Sequence, residues 1–281
     1  MVRLIAAIVG LFFSGWLLVS AVLGGTAYIS EPPAATAESL FHKHPKEVEF
    51  SFEGPLGKYD RAQLQRGFQV YKEVCSACHG LAQVAFRDLQ QIGYSEGAVK
   101  KIAADWPNQI ASIDPATGEA ATRKALPTDK IAGPYPNDVA ARAANNNALP
   151  PDLSLIAKAR HEGPAYLYSL LSGYEAQPAE LLKQFPEAKT PNGLHYNPYF
   201  ATLNLAMPQP LTSDGQVTYA DGNPKPTVDQ MSKDVAAFLT WAAEPKLENR
   251  HRTGLGVLIF LLMATGLAFM SYKSIWADKK H

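Results

Sequence analysis

Cys75-Ser76-Ala77-Cys78-His79 holds the only two cysteines in the chain. A Cys-x-x-Cys-His run reads as a site of covalent c-type haem attachment. Two thiols three residues apart can each form a thioether with a haem vinyl group. The histidine directly after them is then held under the iron as the proximal ligand. Other chemistries for the pair need more than this sequence supplies. A redox dithiol wants a βαβ context, which is absent, and has no use for the histidine. A structural zinc site needs a second ligand pair, and there is neither a third cysteine nor a His-x₃₋₅-His spacing. Haem attachment at both thiols leaves none for a disulfide.

Upstream of the motif, Asp60 reads as a helix N-cap with Gln63 three residues on, the pattern of a capping box. Leu64, Phe68 and Tyr71 then fall at helical spacing and lead into Cys75. Gly67 interrupts that helix, where glycine costs about 1 kcal/mol against alanine. A close helix crossing would justify it. The partner expected is the helix opened by Thr227, whose apolar stripe comprises Val228, Met231, Val235, Phe238 and Ala242, with Leu239 beside it. Phe238 or Trp241 would enter the space that Gly67 leaves. Pro245 ends this helix.

Between the two, helix and turn alternate from Gly80 to Trp106, with Ser95–Trp106 the better helix. Residues 107–136, rich in Pro, Gly, Thr and Asp, read as a long loop. Asn137–Asn147 reads as a helix that frays into three asparagines. Pro150-Pro151 breaks the chain. Asp152 is expected to cap a short helix carrying Lys158, Arg160 and His161, and Gly163-Pro164 to open another that Gly173 stops. Residues 186–226 are loop-like, with a short strand expected at Val217–Tyr219. The 21 prolines in 281 residues agree with long irregular connections.

Both ends are apolar. Leu4–Ile29 and Thr253–Tyr272 carry no charged residue, and each is long enough to span a bilayer. Arg3 before the first stretch places the N-terminus in the cytoplasm and the residues beyond the stretch on the exported side. Two roles fit that stretch: an export signal removed after use, or a retained anchor. It exceeds the usual h-region of about 7–15 residues, whereas Gly25-Thr26-Ala27 and Ala35-Thr36-Ala37 have the form of cleavage sites. With the haem segment exported, the tail after the second span is cytoplasmic, and Tyr272 and Trp276 suit an interfacial aromatic belt. Residues 31–45 form a Pro/Ala-rich linker in which His42 and His44 are solvated side chains. The expected fold class is mainly α: a c-type cytochrome haem domain with long irregular loops over residues 46–249, a C-terminal transmembrane anchor over 250–281, and an N-terminal hydrophobic helix over 1–30. Net charge is zero, and Glu38–Arg252 holds 24 acidic against 22 basic residues, so no nucleic-acid partner is indicated.

A haem electron carrier fills its second axial position with Met or His. Met1 is terminal, Met263 and Met270 lie in the second span, and Met231 sits on the helix stripe. Met207 remains, in Leu205-Ala206-Met207-Pro208-Gln209-Pro210, where prolines stiffen the loop. His161 and His195 are the rival ligands. With both positions filled, the iron passes electrons and has no open site for oxygen or peroxide.

Six segments in order resemble the cytochrome c1 family, the haem subunits of the ubiquinol–cytochrome c reductase (bc1) complex, in its alphaproteobacterial form. They are Gln65–Gly80 (QRGFQVYKEVCSACHG), Arg142–Ser154 (RAANNNALPPDLS), Ala159-Arg160-His161, Tyr196–Phe200 (YNPYF), Ala206-Met207-Pro208 and Ala236–Pro245 (AAFLTWAAEP). The resemblance implies one covalent haem c on Cys75 and Cys78, with His79 and Met207 as iron ligands. It implies that Arg160 pairs with a haem propionate, that Tyr166 lies near it, and that Asn145, Pro150 and Pro151 line the pocket; Arg142 is structural. The activity implied is one-electron transfer from a Rieske iron–sulfur protein to a soluble or tethered cytochrome c, in a respiratory or photosynthetic chain, with no acid or base of this chain taking part. Cytochrome b is the implied membrane neighbour, the complex an implied homodimer, and the haem domain implied to be periplasmic on the inner membrane. Two other readings are a free-standing anchored cytochrome c, and an anchored haem enzyme or sensor with a displaceable sixth ligand. The chain departs from some bacterial relatives in lacking an extra cysteine pair that braces the haem loop, so the Met207 loop must rely on proline and packing.

Overall fold

Residues 2–32 and 34–278 are described in a computed structural model of the chain. Val2–Ser30 forms helix α1, exposed along its whole length, with a mean hydropathy of 2.3 in its most apolar window. Its 29 residues exceed the roughly 20 needed to cross a hydrocarbon layer. The expected linker is partly ordered. Ala37–Phe41 forms α2, opened by a reciprocal box in which Ser39 N–H donates to Thr36 Oγ1 and Thr36 N–H to Ser39 Oγ. Ala37 is buried with Leu181, Tyr196 and Leu203, and the Phe41 ring meets Phe185 edge-on at 6.4 Å. Two apolar residues in a Pro/Ala-rich stretch thus suffice to dock it.

Arg61–Glu73 forms α3, and Asp60 caps it as expected, accepting from Ala62 N and Gln63 N. The Gln63 side chain does not return to the cap. It donates to buried Asp234 at 3.2 Å, a partner 171 residues away. The chain then tightens into a 3₁₀ turn at Cys75–Ala77, runs as strand β1 (Leu81–Ala85), turns through Phe86–Ile92 and enters α4 (Glu96–Ala104). Residues 107–136 are more regular than their composition implies. Ile110–Ile113 (β2) pairs antiparallel with Ala120–Arg123 (β3), and Lys130–Ile131 (β4) pairs with β1 across a bulge. The β2–β3 ribbon buries neither face fully. It therefore needs no apolar alternation, and alternation is the signal by which strands are read.

Asp138–Ala144 forms α5, capped by Asn137. Asn146 and Asn147 follow in the left-handed region at φ 50° and 63°, a conformation that asparagine tolerates. Asp152 caps no helix: its carboxylate accepts from Ala82 N at 2.7 Å and Ser154 N at 2.9 Å. The short helix α6 is Ile156–Ala159, so Arg160 and His161 lie past its end. Then come α7 (Gly163–Leu171), α8 (Ala179–Gln184), and a two-stranded ladder of β5 (His195–Tyr196) with β6 (Asn204–Leu205). Val217–Tyr219 is not a strand: Val217 and Tyr219 are buried on irregular chain. Val228–Ala243 forms α9, capped by Thr227, and Leu247–Trp276 forms α10, whose apolar stretch is exposed.

α3 packs across α9, and the crossing falls at Gly67. A Cβ there would collide with the Asp234 carbonyl oxygen and lie 2.7 Å from Phe238 Cβ. Phe238 fills the space, with ring centroids 5.5 Å from Phe68, 5.7 Å from Tyr71 and 5.7 Å from Trp241. The missing side chain of the helix that leads into the cysteine motif is thus what admits the core aromatic of the last domain helix.

Candidate haem site

The 3₁₀ turn at Cys75–Ala77 brings the motif back on itself: Cys78 N–H and His79 N–H both donate to the Cys75 carbonyl, at 3.1 and 2.9 Å. Ser76, buried, donates to Lys72 O at 2.8 Å, and the Tyr71 hydroxyl donates to His79 O at 2.9 Å. Cys75 and Cys78 form no disulfide. Burial, with Cys78 adding to it, pushes the Cys75 thiol up to about 12. A redox dithiol needs the opposite, a depressed thiol pKa. The Tyr135 hydroxyl lies 3.8 Å from Cys78 Sγ.

His79 Nδ1 lies 2.7 Å from the Pro151 carbonyl oxygen. A carbonyl can only accept, so Nδ1 carries the hydrogen and Nε2 keeps its lone pair. Such a contact fixes both tautomer and ring orientation of a ligating histidine. Burial holds the imidazole below its ordinary pKa, against the opposing influence of Pro151 O and Asp152. Pro151 is itself placed by a small ladder alongside β1: Leu153 N–H donates to Gly80 O at 2.9 Å, Ala82 N–H to Asp152, and Gln83 N–H to Ser154 Oγ at 2.9 Å. Pro150 is half-buried beside it. The Asn145 side chain turns back onto its own helix, donating to Ala141 O at 2.7 Å. Arg142 closes the asparagine turn, its Nη1 donating to Asn147 O at 3.0 Å.

Met207 lies two residues past β6 and is half-buried against the same core that Cys75 and Tyr166 pack on. Asn197, fully buried, ties this loop to α7: its Nδ2 donates to Leu170 O at 2.8 Å, and its backbone N–H to Leu203 O at 2.8 Å. The Tyr174 hydroxyl donates to Met207 O at 3.0 Å. Arg160 is exposed, with Nη1 donating to Ala159 O at 3.1 Å, and it faces the Tyr166 hydroxyl. Burial raises the Tyr166 pKa, and the Arg160 charge opposes that rise. Tyr174 in turn lies near Tyr166. Arg160, Tyr166, Tyr174 and Met207 are thus linked by successive contacts, and Cys75, Tyr166 and Met207 pack against one core. His161 and His195, the rival ligands, are both exposed. Sequence reasoning missed Tyr71, Tyr135, Tyr174 and Asn197. Each acts through a partner distant in sequence or through backbone, so its local pattern assigns it no role in the site, although Tyr71 and Asn197 fall within segments that carry the resemblance.

The donor set fits a haem: two unpaired cysteine sulfurs, one imidazole with its free nitrogen fixed, one thioether on the same core, and an arginine for an acidic substituent. Among the described residues no cluster of three or more His, Cys, Asp or Glu side chains is arranged to hold a bare metal ion. Such a fold and site define a c-type cytochrome with apolar helices at both ends. A profile described as the Cytochrome C1 family matches residues 50–279. Over 268 residues the chain is 42% identical to "Cytochrome c1" of Rhodospirillum rubrum, covering 92% of this chain and 94% of that one. It is 40% identical to "Cytochrome c1" of Blastochloris viridis, covering 92% and 95%. It is also 42% identical to "Cytochrome b/c1" of Bradyrhizobium diazoefficiens, of whose length it spans 39%. The chain therefore belongs to the cytochrome c1 family, and its cofactor is covalently bound haem c.

Proposed function

We propose that this chain is the electron-transfer subunit of a quinol–cytochrome c reductase, taking one electron from a Rieske iron–sulfur protein and passing it to a soluble or tethered cytochrome c. Haem c supplies the one-electron chemistry. The chain attaches it at Cys75 and Cys78, holds it with His79 and Met207, and offers Arg160 to a propionate, with Tyr166 close by. Asn145, Pro150 and Pro151 form the adjoining wall. The observation that carries the reading is the His79 Nδ1 contact to Pro151 O, which leaves Nε2 as a fixed donor. An imidazole oriented in this way presents Nε2 to an iron without further rearrangement, so the part proposed for the chain is to orient and insulate a redox centre. Met207, stiffened by Pro208 and Pro210, supplies the soft ligand that raises the potential.

The domain division accords with this role: residues 1–30 as signal or anchor, 31–45 as linker, 46–249 as the periplasmic haem domain, 250–281 as the anchor with a cytoplasmic tail. Cytochrome b is the proposed neighbour of α10, a pairing that the name of the Bradyrhizobium relative supports. The complex is proposed to be a homodimer in the cytoplasmic membrane.

Replacing Met207 with Leu tests the ligand set. The variant should keep its covalent haem, lose the near-infrared methionine–iron band of the oxidised protein, and show a sharply lower reduction potential. An unchanged potential would remove Met207 from the site. Copurification tests the assembly: solubilised protein that never carries b-type haem is a free-standing cytochrome. Rapid carbon monoxide binding by the reduced form would mark an open-site haem protein instead.

A further inference from the structure

The Met207 loop has no covalent brace, since Cys75 and Cys78 are the only cysteines. Its regular pairing stops at Leu205, where β6 ends. Beyond Met207, Pro208 and Pro210 have no N–H to give, so the backbone there can be tied mainly through carbonyls. Among the described residues, Met207 O has one side-chain donor, the Tyr174 hydroxyl at 3.0 Å. Tyr174 stands on a fixed base. At Gly173, directly before it, a Cβ would collide with Ser169 O and lie 2.6 Å from Tyr199 Cε2, so the end of α7 and the Tyr199 ring are in close contact there. Tyr199 is itself held by its N–H donating to buried Asn197 Oδ1 at 3.0 Å.

We infer that Tyr174 is a positioning residue: its hydroxyl, bonded to the Met207 carbonyl, keeps the thioether in place against competing ligands. The inference rests on Met207 being the axial ligand. It reaches further in assigning the hold on that ligand to one hydroxyl at the end of α7. The reaction it governs is ligand exchange, in which an iron–sulfur bond breaks and an iron–nitrogen bond forms with no change of oxidation state. Loss of the Tyr174 contact lets the loop release sulfur more readily, so an added ligand competes better.

The test is titration of the oxidised full-length haem protein with imidazole, monitored by loss of the methionine–iron band. Tyr174→Phe keeps the ring and its packing and removes only the donor. It should retain the band in buffer while its Kd for imidazole falls about three- to tenfold, the range of a typical net hydrogen bond. Val99→Ala, which opens a cavity in the core beneath α4 and touches no residue of the site, should titrate like the parent. A Tyr174→Phe protein whose Kd stays within about twofold of the parent, whatever its melting temperature, overturns the inference. So does a matching shift in Val99→Ala, because general loosening would then explain both. Persistence of the band in Met207→Leu would instead sink the ligand assignment itself, a result separable from either of the others.

Discussion

Asp234 shows how far one residue's role can lie from its appearance in sequence. It sits in the middle of α9, where a carboxylate reads as solvent-facing, yet it is fully buried. Arg66 Nε donates to it at 2.9 Å and Arg66 Nη2 at 3.2 Å, Gln63 Nε2 at 3.2 Å, and Gln230 Nε2 at 2.8 Å. All the donors but Gln230 come from α3, so the network locks the register of the two helices as well as satisfying a charge. Arg66 is nearly as enclosed, with 11% of its side chain exposed, and its guanidinium stacks over the Tyr219 ring at 5.9 Å. Removing one partner of a buried pair leaves the other charge uncompensated, at about 3–5 kcal/mol. Asp234→Ala should therefore lower the unfolding free energy by about that amount in urea titrations monitored by far-ultraviolet circular dichroism. A loss below about 1 kcal/mol would mean that Arg66 finds water on the removal of its partner. The pairing was hidden because both residues have ordinary neighbours in sequence; only the crossing brings them together.

At the scale of elements, legibility tracked periodicity. α3 and α9 could be read from their caps and stripes, and Gly67 pointed to the crossing because a mid-helix glycine calls for a reason. The β2–β3 ribbon and the β1–β4 and β5–β6 ladders could not be read. They are too short, or too exposed, to show an alternating pattern, and their partners come from distant or proline-rich chain. The site divided in the same way. Cys75, Cys78, His79 and Met207 are marked by residue type. The Pro151 carbonyl that orients His79 is a backbone group, which any residue could supply. The crossing gives its own prediction. Alanine at Gly67 forces a methyl against the Asp234 carbonyl and Phe238 Cβ, and overpacking of this kind costs about 1–3 kcal/mol. Helix propensity returns only about 1 kcal/mol. Gly67→Ala should thus melt below the parent, with α3 displaced and covalent haem retained. A variant as stable as the parent would show that α3 can slide without cost and that the glycine is merely tolerated.

Over the whole molecule the question is how the haem domain is held relative to the bilayer. The first turns of α10 are fastened to the domain. Glu248 accepts from Tyr59 N at 2.9 Å and from both Arg61 Nη atoms at 2.9 and 3.0 Å, while the His251 ring lies 3.2 Å from Gly57 O and Arg250 pairs with Glu244 at 2.6 Å. These contacts sit before the uncharged stretch beginning at Thr253, so domain and membrane helix meet without a slack linker. The far end of α10 carries Tyr272 and Trp276, whose ring centroids are 6.2 Å apart, with Lys273 between them. Aromatic residues at that end suit either interface, and Lys273 there is matched by Arg250 and Arg252 at the other end. The expected polarity rests on Arg3 in the first turn of α1. Protease added to spheroplasts should therefore remove the haem-bearing domain and leave a short membrane fragment. Sealed inside-out vesicles should protect the domain and lose only the tail. The reverse pattern would put the haem on the cytoplasmic face and overturn the polarity expected from Arg3.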